Sequence, residues 1–169
     1  MKHLLLLCLL LLTIPSRAQF ANALDAKNGF RDAVFGASVE TLPGATPLGQ
    51  GEGDTQCYSR ATDELKIGDA QLSDISYCYY KGRLYSVTLA TAGAANSRAL
   101  RDALEAAYGR TGQSDRYTLA RDWSGRVVGL SYAENPISRD ATATMYSKAL
   151  SKQKAADAKA NAKRAKADL

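Results

Sequence analysis

Large apolar and small or polar residues alternate most clearly between Ile75 and Leu89, where Tyr77, Tyr79, Tyr80, Tyr85 and Val87 supply the aromatic and branched side chains that strands favour. Lys81-Gly82 interrupts this run and predicts a two-residue hairpin turn, with Tyr80 facing Arg83, Cys78 facing Tyr85 and Ile75 facing Thr88. Ser124-Gly125 predicts a second hairpin that pairs Tyr117 with Tyr132, Leu119 with Leu130, Arg121 with Val128 and Trp123 with Arg126. One face of it is apolar, and the other carries Thr118, Asp122, Gly129 and Ser131. Between the hairpins the period changes to that of a helix. Leu100, Ala103, Leu104, Ala107 and Tyr108 form a stripe over about Ser97 to Tyr108, with Asn96 as cap, Gly109 as stop, and Arg98/Asp102 and Arg101/Glu105 paired outside. A strand over Ala141 to Ser147 follows, and then an Ala/Lys-rich helix from Lys148. Upstream, the pattern gives a short strand from Phe30 to Phe35, a brief helical turn capped by Ser38, and an irregular Pro43 to Gly53 loop. This order predicts an α+β domain with a mainly antiparallel sheet.

The first eighteen residues read differently. Lys2, an apolar run from Leu4 to Leu12 and the small residues of Ser16-Arg17-Ala18 match a secretory signal peptide, so residues 1–18 are expected to be removed and the product to be periplasmic or extracellular. The run is too short to span a bilayer. Cys8 follows Leu7 inside it and has no small residue before it, unlike a lipid-attachment site. The organisation expected is residues 19–29 as a linker or arm, 30–147 as a single domain, and 148–169 as a basic helical tail.

Charge follows the same division. Beyond Ala18 there are 20 basic and 17 acidic residues, and the tail alone holds seven basic residues against Asp157 and Asp168. The basic character thus belongs to the tail, where Lys159, Lys163 and Arg164 are the candidate contacts for an anionic partner. Ser151, Ala155, Ala158, Ala162, Ala165 and Leu169 form a small-residue seam along it, suited to close packing or simply to solvent. Nucleic acid is not expected for an exported chain whose lysines are not interleaved with aromatic residues. Cys57 and Cys78 are the only cysteines after Ala18, so an oxidising compartment allows one disulfide, the alternative being two buried thiols.

Candidate chemistry is sparse. The one histidine, His3, lies in the leader, which removes the commonest general base and metal ligand from the exported chain, and neither cofactor nor metal is expected. Ser151 and Lys154 match an S-x-x-K spacing without the accompanying motifs of an acyl-transfer site. Asp63, Glu64, Asp69, Asp74, Asp115, Asp122 and Glu134 are the carboxylates a small hydrolase would draw on. Tyr77, Tyr79, Tyr80, Tyr85 and Trp123 offer either a recognition surface or ordinary core rings, and Arg121 and Arg126 flank Trp123 closely enough for a cation–π contact. Gly49 to Asp54 lacks the acid spacing of a calcium loop and reads as a plain loop.

Phe35-Gly36-Ala37-Ser38-Val39 with Pro43-Gly44, followed by hairpin, helix and hairpin, resembles uncharacterised exported bacterial proteins with an F-G-x-S opening. It is also similar to the start of small outer-membrane assembly lipoproteins of the BamE type, from which this chain departs in lacking their lipid-attachment cysteine. The resemblance implies an envelope location and an accessory role, with no catalytic residue. The expectation is therefore a non-catalytic exported binding protein whose partner is an envelope protein, a glycan or an anionic surface. A carboxylate-dependent hydrolase and a secreted enzyme inhibitor are the alternatives.

Overall fold

The computed structural model describes residues 23–111 and 119–167. The expected leader (residues 1–18), residues 19–22 of the expected arm, Tyr117 and Thr118 of the second hairpin, Asp115 and Leu169 lie outside the described residues.

Eleven strands form among the described residues, seven of them in one antiparallel sheet. In chain order they are β1 (Gly29–Phe30), β2 (Ala33–Val34), β3 (Ala45–Gln50), β4 (Thr55–Arg60), β5 (Lys66–Ile67), β6 (Ala70–Gln71), β7 (Asp74–Tyr80), β8 (Arg83–Thr91), β9 (Arg121–Ser124), β10 (Val128–Glu134) and β11 (Ala141–Ser147). The sheet runs β3-β4-β7-β8-β11-β10-β9, and β1-β2 and β5-β6 are separate two-stranded hairpins. Helix α1 (Gly93–Tyr108) joins the two halves of the sheet, and α2 (Lys148–Ala167) follows β11 directly. The fold is α+β.

Alternation of side chains decides what is covered. Ile75, Tyr77, Val87, Leu89, Leu130, Tyr132, Ala143 and Met145 are buried in one core with Leu100 and Leu104 of α1. One sixteen-residue helix is narrower than seven strands, and the two small hairpins add Phe30, Ala33 and Ala70 to the same core. Ser76, Thr88, Ser131 and Thr144 alternate with the core positions and are half-exposed, and the Thr88 and Thr144 hydroxyls meet at 3.1 Å.

The first hairpin turns at Lys81-Gly82 with both residues at positive φ, as a two-residue turn requires. Tyr80 faces Arg83 as expected. The register then slips by one at a bulge, so that Cys78 faces Ser86 in place of Tyr85, and Ile75 faces Leu89 in place of Thr88. In the second hairpin Trp123 faces Leu130 rather than Arg126, and Arg121 faces Tyr132 rather than Val128, because the turn is longer than two residues and closes with Gly125 N–H donating to the Val128 carbonyl at 2.9 Å. A shift by an even number of residues leaves each side chain on its face, so Trp123, Val128, Leu130 and Tyr132 are buried while Asp122 is exposed.

Other expectations need correction. Phe30 to Phe35 is not one strand but a hairpin turning at Arg31-Asp32. The Pro43 to Gly53 segment contains edge strand β3; Pro47 and Gly49 are tolerated there because the edge pairs on one side only and its register shifts between them. The Ser38 side chain caps nothing in the 3-10 turn Val39–Thr41. Helix α1 begins at Gly93, not Ser97, because Asp140 accepts from Gly93 N–H at 2.8 Å from outside the helix, while Asn96 accepts from Gln71 N–H. Arg101 pairs with its neighbour Asp102, and Glu105 with Arg110 and Arg121. Residues 23–27 are helical, and Leu24 at 2% exposure docks the arm on the domain.

Cys57 and Cys78 face each other on β4 and β7 and are bonded, closing a 21-residue separation. Reduction, or Cys57→Ser with Cys78→Ser, is expected to lower stability by about 3 kcal/mol through loop entropy, read as a lower urea midpoint.

Candidate functional site

The aromatic residues proposed as a recognition surface are mostly interior. Tyr77, Tyr79, Tyr80 and Trp123 are 0%, 3%, 4% and 6% exposed, and only Tyr85 is half-exposed. Tyr79 stands edge-on to Tyr58 with ring centres 5.4 Å apart, and burial pushes its hydroxyl up to about 12. Trp123 donates its indole N–H to the Gly109 carbonyl at 2.7 Å, tying β9 to the end of α1, and Arg121 turns to Glu105. These rings build the core and its rim; they do not form one exposed patch.

The most concentrated polar chemistry lies at the end of β4. Arg60 grips Asp32 with a two-pronged contact at 2.7 and 2.8 Å and also donates to Asp63 through Nε and Nη2. Asp63 accepts further hydrogen bonds from Tyr77 Oη at 2.7 Å and Arg31 Nη1 at 3.1 Å. Both side chains of the Arg60–Asp63 pair are buried, at 8% and 3% exposure. Burial alone would raise the Asp63 carboxyl, but the Arg60 and Tyr77 hydrogen bonds outweigh it and hold it below the usual range. The Arg60 hydrogen bond holds Asp32 down at about 2, while burial first and Asp63 second push Tyr77 upward. Three of these donors converge on Oδ1 and one on Oδ2, so the carboxylate is held ionised within a fixed ion-pair network.

The second buried carboxylate is similarly engaged. Glu134 pairs with Arg139 and accepts from Tyr132 Oη at 3.0 Å. It borders a groove of about 530 Å³ with Ser73, Thr91, Ala133 and Asp140, where the Asp140 carboxylate caps α1. Asp69, Asp74 and Asp122 are exposed and separate from both clusters. Among the described residues no group of three or more His, Cys, Asp or Glu side chains converges as a metal site requires.

The candidate cations stand on α2, which has two unlike halves. Leu150 is buried, and Gln153, Lys154 and Asp157 are half-buried at the helical spacing i, i+3, i+4, i+7. Gln153 accepts from Arg83, Lys154 lies over the Tyr85 ring and 3.7 Å from Glu52, and Asp157 accepts from Tyr80 Oη and Lys81 Nζ, each at 2.7 Å. The contacts with Lys81 and then Tyr80 lower the Asp157 carboxyl. From 158 to 166 every residue is exposed, including Lys159, Lys163, Arg164 and Lys166. The alanine seam is not what docks: Ala155, Ala158, Ala162 and Ala165 are exposed, because the polar stripe beside them has partners on the sheet and alanine has little area to bury. That stripe was present in the sequence at helical spacing, but its members are hydrophilic and gave no apolar signal. Ser151 and Lys154 share the docked half, with Lys154 committed to Tyr85 and Glu52.

No family model, curated protein or solved structure matches the chain, so the resemblance rests on the Phe35 to Val39 opening, Pro43-Gly44 and the order of elements alone. No helix among the described residues is long and apolar enough to cross a membrane.

Arg60→Met is expected to cost about 3–5 kcal/mol, the range for breaking a buried pair, and Tyr77→Phe about 1–2 kcal/mol, in urea unfolding at pH 7. The folded values of Asp32 and Asp63 lie below their unfolded ones. The stability they contribute is therefore complete above about pH 4 and lost as pH falls toward 2, which a series of urea midpoints from pH 6 to pH 2 reads directly.

Proposed function

We propose that the chain is a non-catalytic, exported accessory protein that holds a basic helical arm out to an anionic partner in the cell envelope. The observation that carries this reading is the division of α2. Leu150, Gln153, Lys154 and Asp157 anchor its first half, and the second half leaves the domain with Lys159, Lys163, Arg164 and Lys166 exposed and no carboxylate among residues 158–166. Ten residues of helix beyond Asp157 extend about 15 Å. Their only apolar side chains are alanines, which give a bilayer or an apolar groove little to bury, so the attraction is Coulombic and sensitive to salt. The signal-peptide pattern of residues 1–18 supports export, and the engagement of Asp63 by Arg60 and Tyr77 and of Glu134 by Arg139 and Tyr132 favours structural roles for these two carboxylates.

Removing the whole tail would also remove the docked half, so the informative variant keeps α2 and changes its charge. Lys159→Gln, Lys163→Gln, Arg164→Gln and Lys166→Gln together are expected to leave the melting temperature unchanged. At about 1 kcal/mol per cation near an anionic surface, they should weaken binding to phosphatidylglycerol-containing vesicles by about three orders of magnitude at low salt. Cross-linked capture from the producing cell's envelope would identify the natural partner. Equal vesicle binding and equal capture by both forms would move the contact to the folded body.

A further inference from the structure

One turn joins three parts of the chain that are distant in sequence. The backbone N–H groups of Arg126, Val127 and Val128 all point at the Asp25 carboxylate, at 2.6, 2.9 and 3.0 Å. Gly125 is needed there for space, because a Cβ would lie 2.2 Å from Asp25 Oδ1. The same turn seats the first residue of α2: Lys148 N–H donates to the Val127 carbonyl at 3.0 Å, and Lys148 Nζ donates to Ser124 Oγ at 2.6 Å and to the Gly125 carbonyl. Three convergent amides form a concave anion receptor, and the adjacent Arg126 and Lys148 add positive charge.

We propose that the Ser124–Val128 turn is an anion-binding site that the chain fills with its own Asp25, the Leu24–Asp25 segment being a strap that an external carboxylate or phosphate group can replace. Leu24, buried beside it, holds the strap in place, and attachment within one chain gives Asp25 a high effective concentration. Burial works against the ionised carboxyl of Asp25, but the hydrogen bonds from Val127, Val128 and Arg126 prevail and keep it below the usual range. The site deepens the reading of α2 as an anion-seeking arm, since it sits at the root of that helix, but it does not require the distal cations.

The test is a titration of the chain from Gln19 onward with inorganic phosphate, followed by amide resonances. Asp25→Ala is expected to show saturable shifts confined to Arg126, Val127 and Val128, at about a tenth of the phosphate that wild type needs, or less. The shifts should persist when the four distal cations are also changed to Gln, which separates this site from the arm. Should Asp25→Ala unfold, Asp25→Asn, which keeps an acceptor oxygen but loses the charge, should show the same shifts at a phosphate concentration between those that Asp25→Ala and wild type need. No phosphate-dependent shift in the folded variant, or equal shifts in variant and wild type, would overturn the proposal.

Discussion

Half of this fold depends on one buried carboxylate. Asp63 receives donors from β4 through Arg60, from β7 through Tyr77 and from the β1-β2 turn through Arg31, which also reaches the carbonyls of Glu64 and Lys66 at β5. Two-stranded hairpins as short as β1-β2 and β5-β6 have little stability of their own. Their apolar residues cover sheet that α1 cannot reach, and the cluster fixes where they sit. A buried ion pair contributes little net stability compared with an apolar replacement, but its directional hydrogen bonds specify one arrangement. Here they decide which way two small hairpins face.

The opposite half is organised by backbone groups that meet side chains from far along the chain. Asp140 begins α1, Trp123 binds the carbonyl at its end, and Asp25 closes the β9-β10 turn. Contacts of this kind leave no local pattern. That is why the sequence places β11 and the start of α2 where the structure has them, yet misplaces the start of α1 and the width of the second turn. Strand β11 and helix α2 follow from alternation and composition, which are local. The first residue of α1 is settled by a carboxylate 47 positions away.

The tyrosines show the same limit. Alternation puts Tyr77 and Tyr79 on one strand face, but whether that face is a recognition surface or core depends on hairpins whose docking is set by Asp63. For α2 the sequence shows where the charge is and hides the anchor, since Gln153, Lys154 and Asp157 look like ordinary surface residues until Arg83, Tyr85 and Tyr80 are placed beneath them.

Strand β11 ends at Ser147 and α2 begins at Lys148, so no loop separates the sheet from the helix. The direction of the projecting half therefore follows from the strand that precedes it and from the docked first half of α2. Lys159, Lys163 and Lys166 fall on one side of it, separated along the axis by about 6 and about 4.5 Å. The charges are thus presented as a ruled line instead of a loose basic tail, because the backbone that spaces them is already ordered as helix.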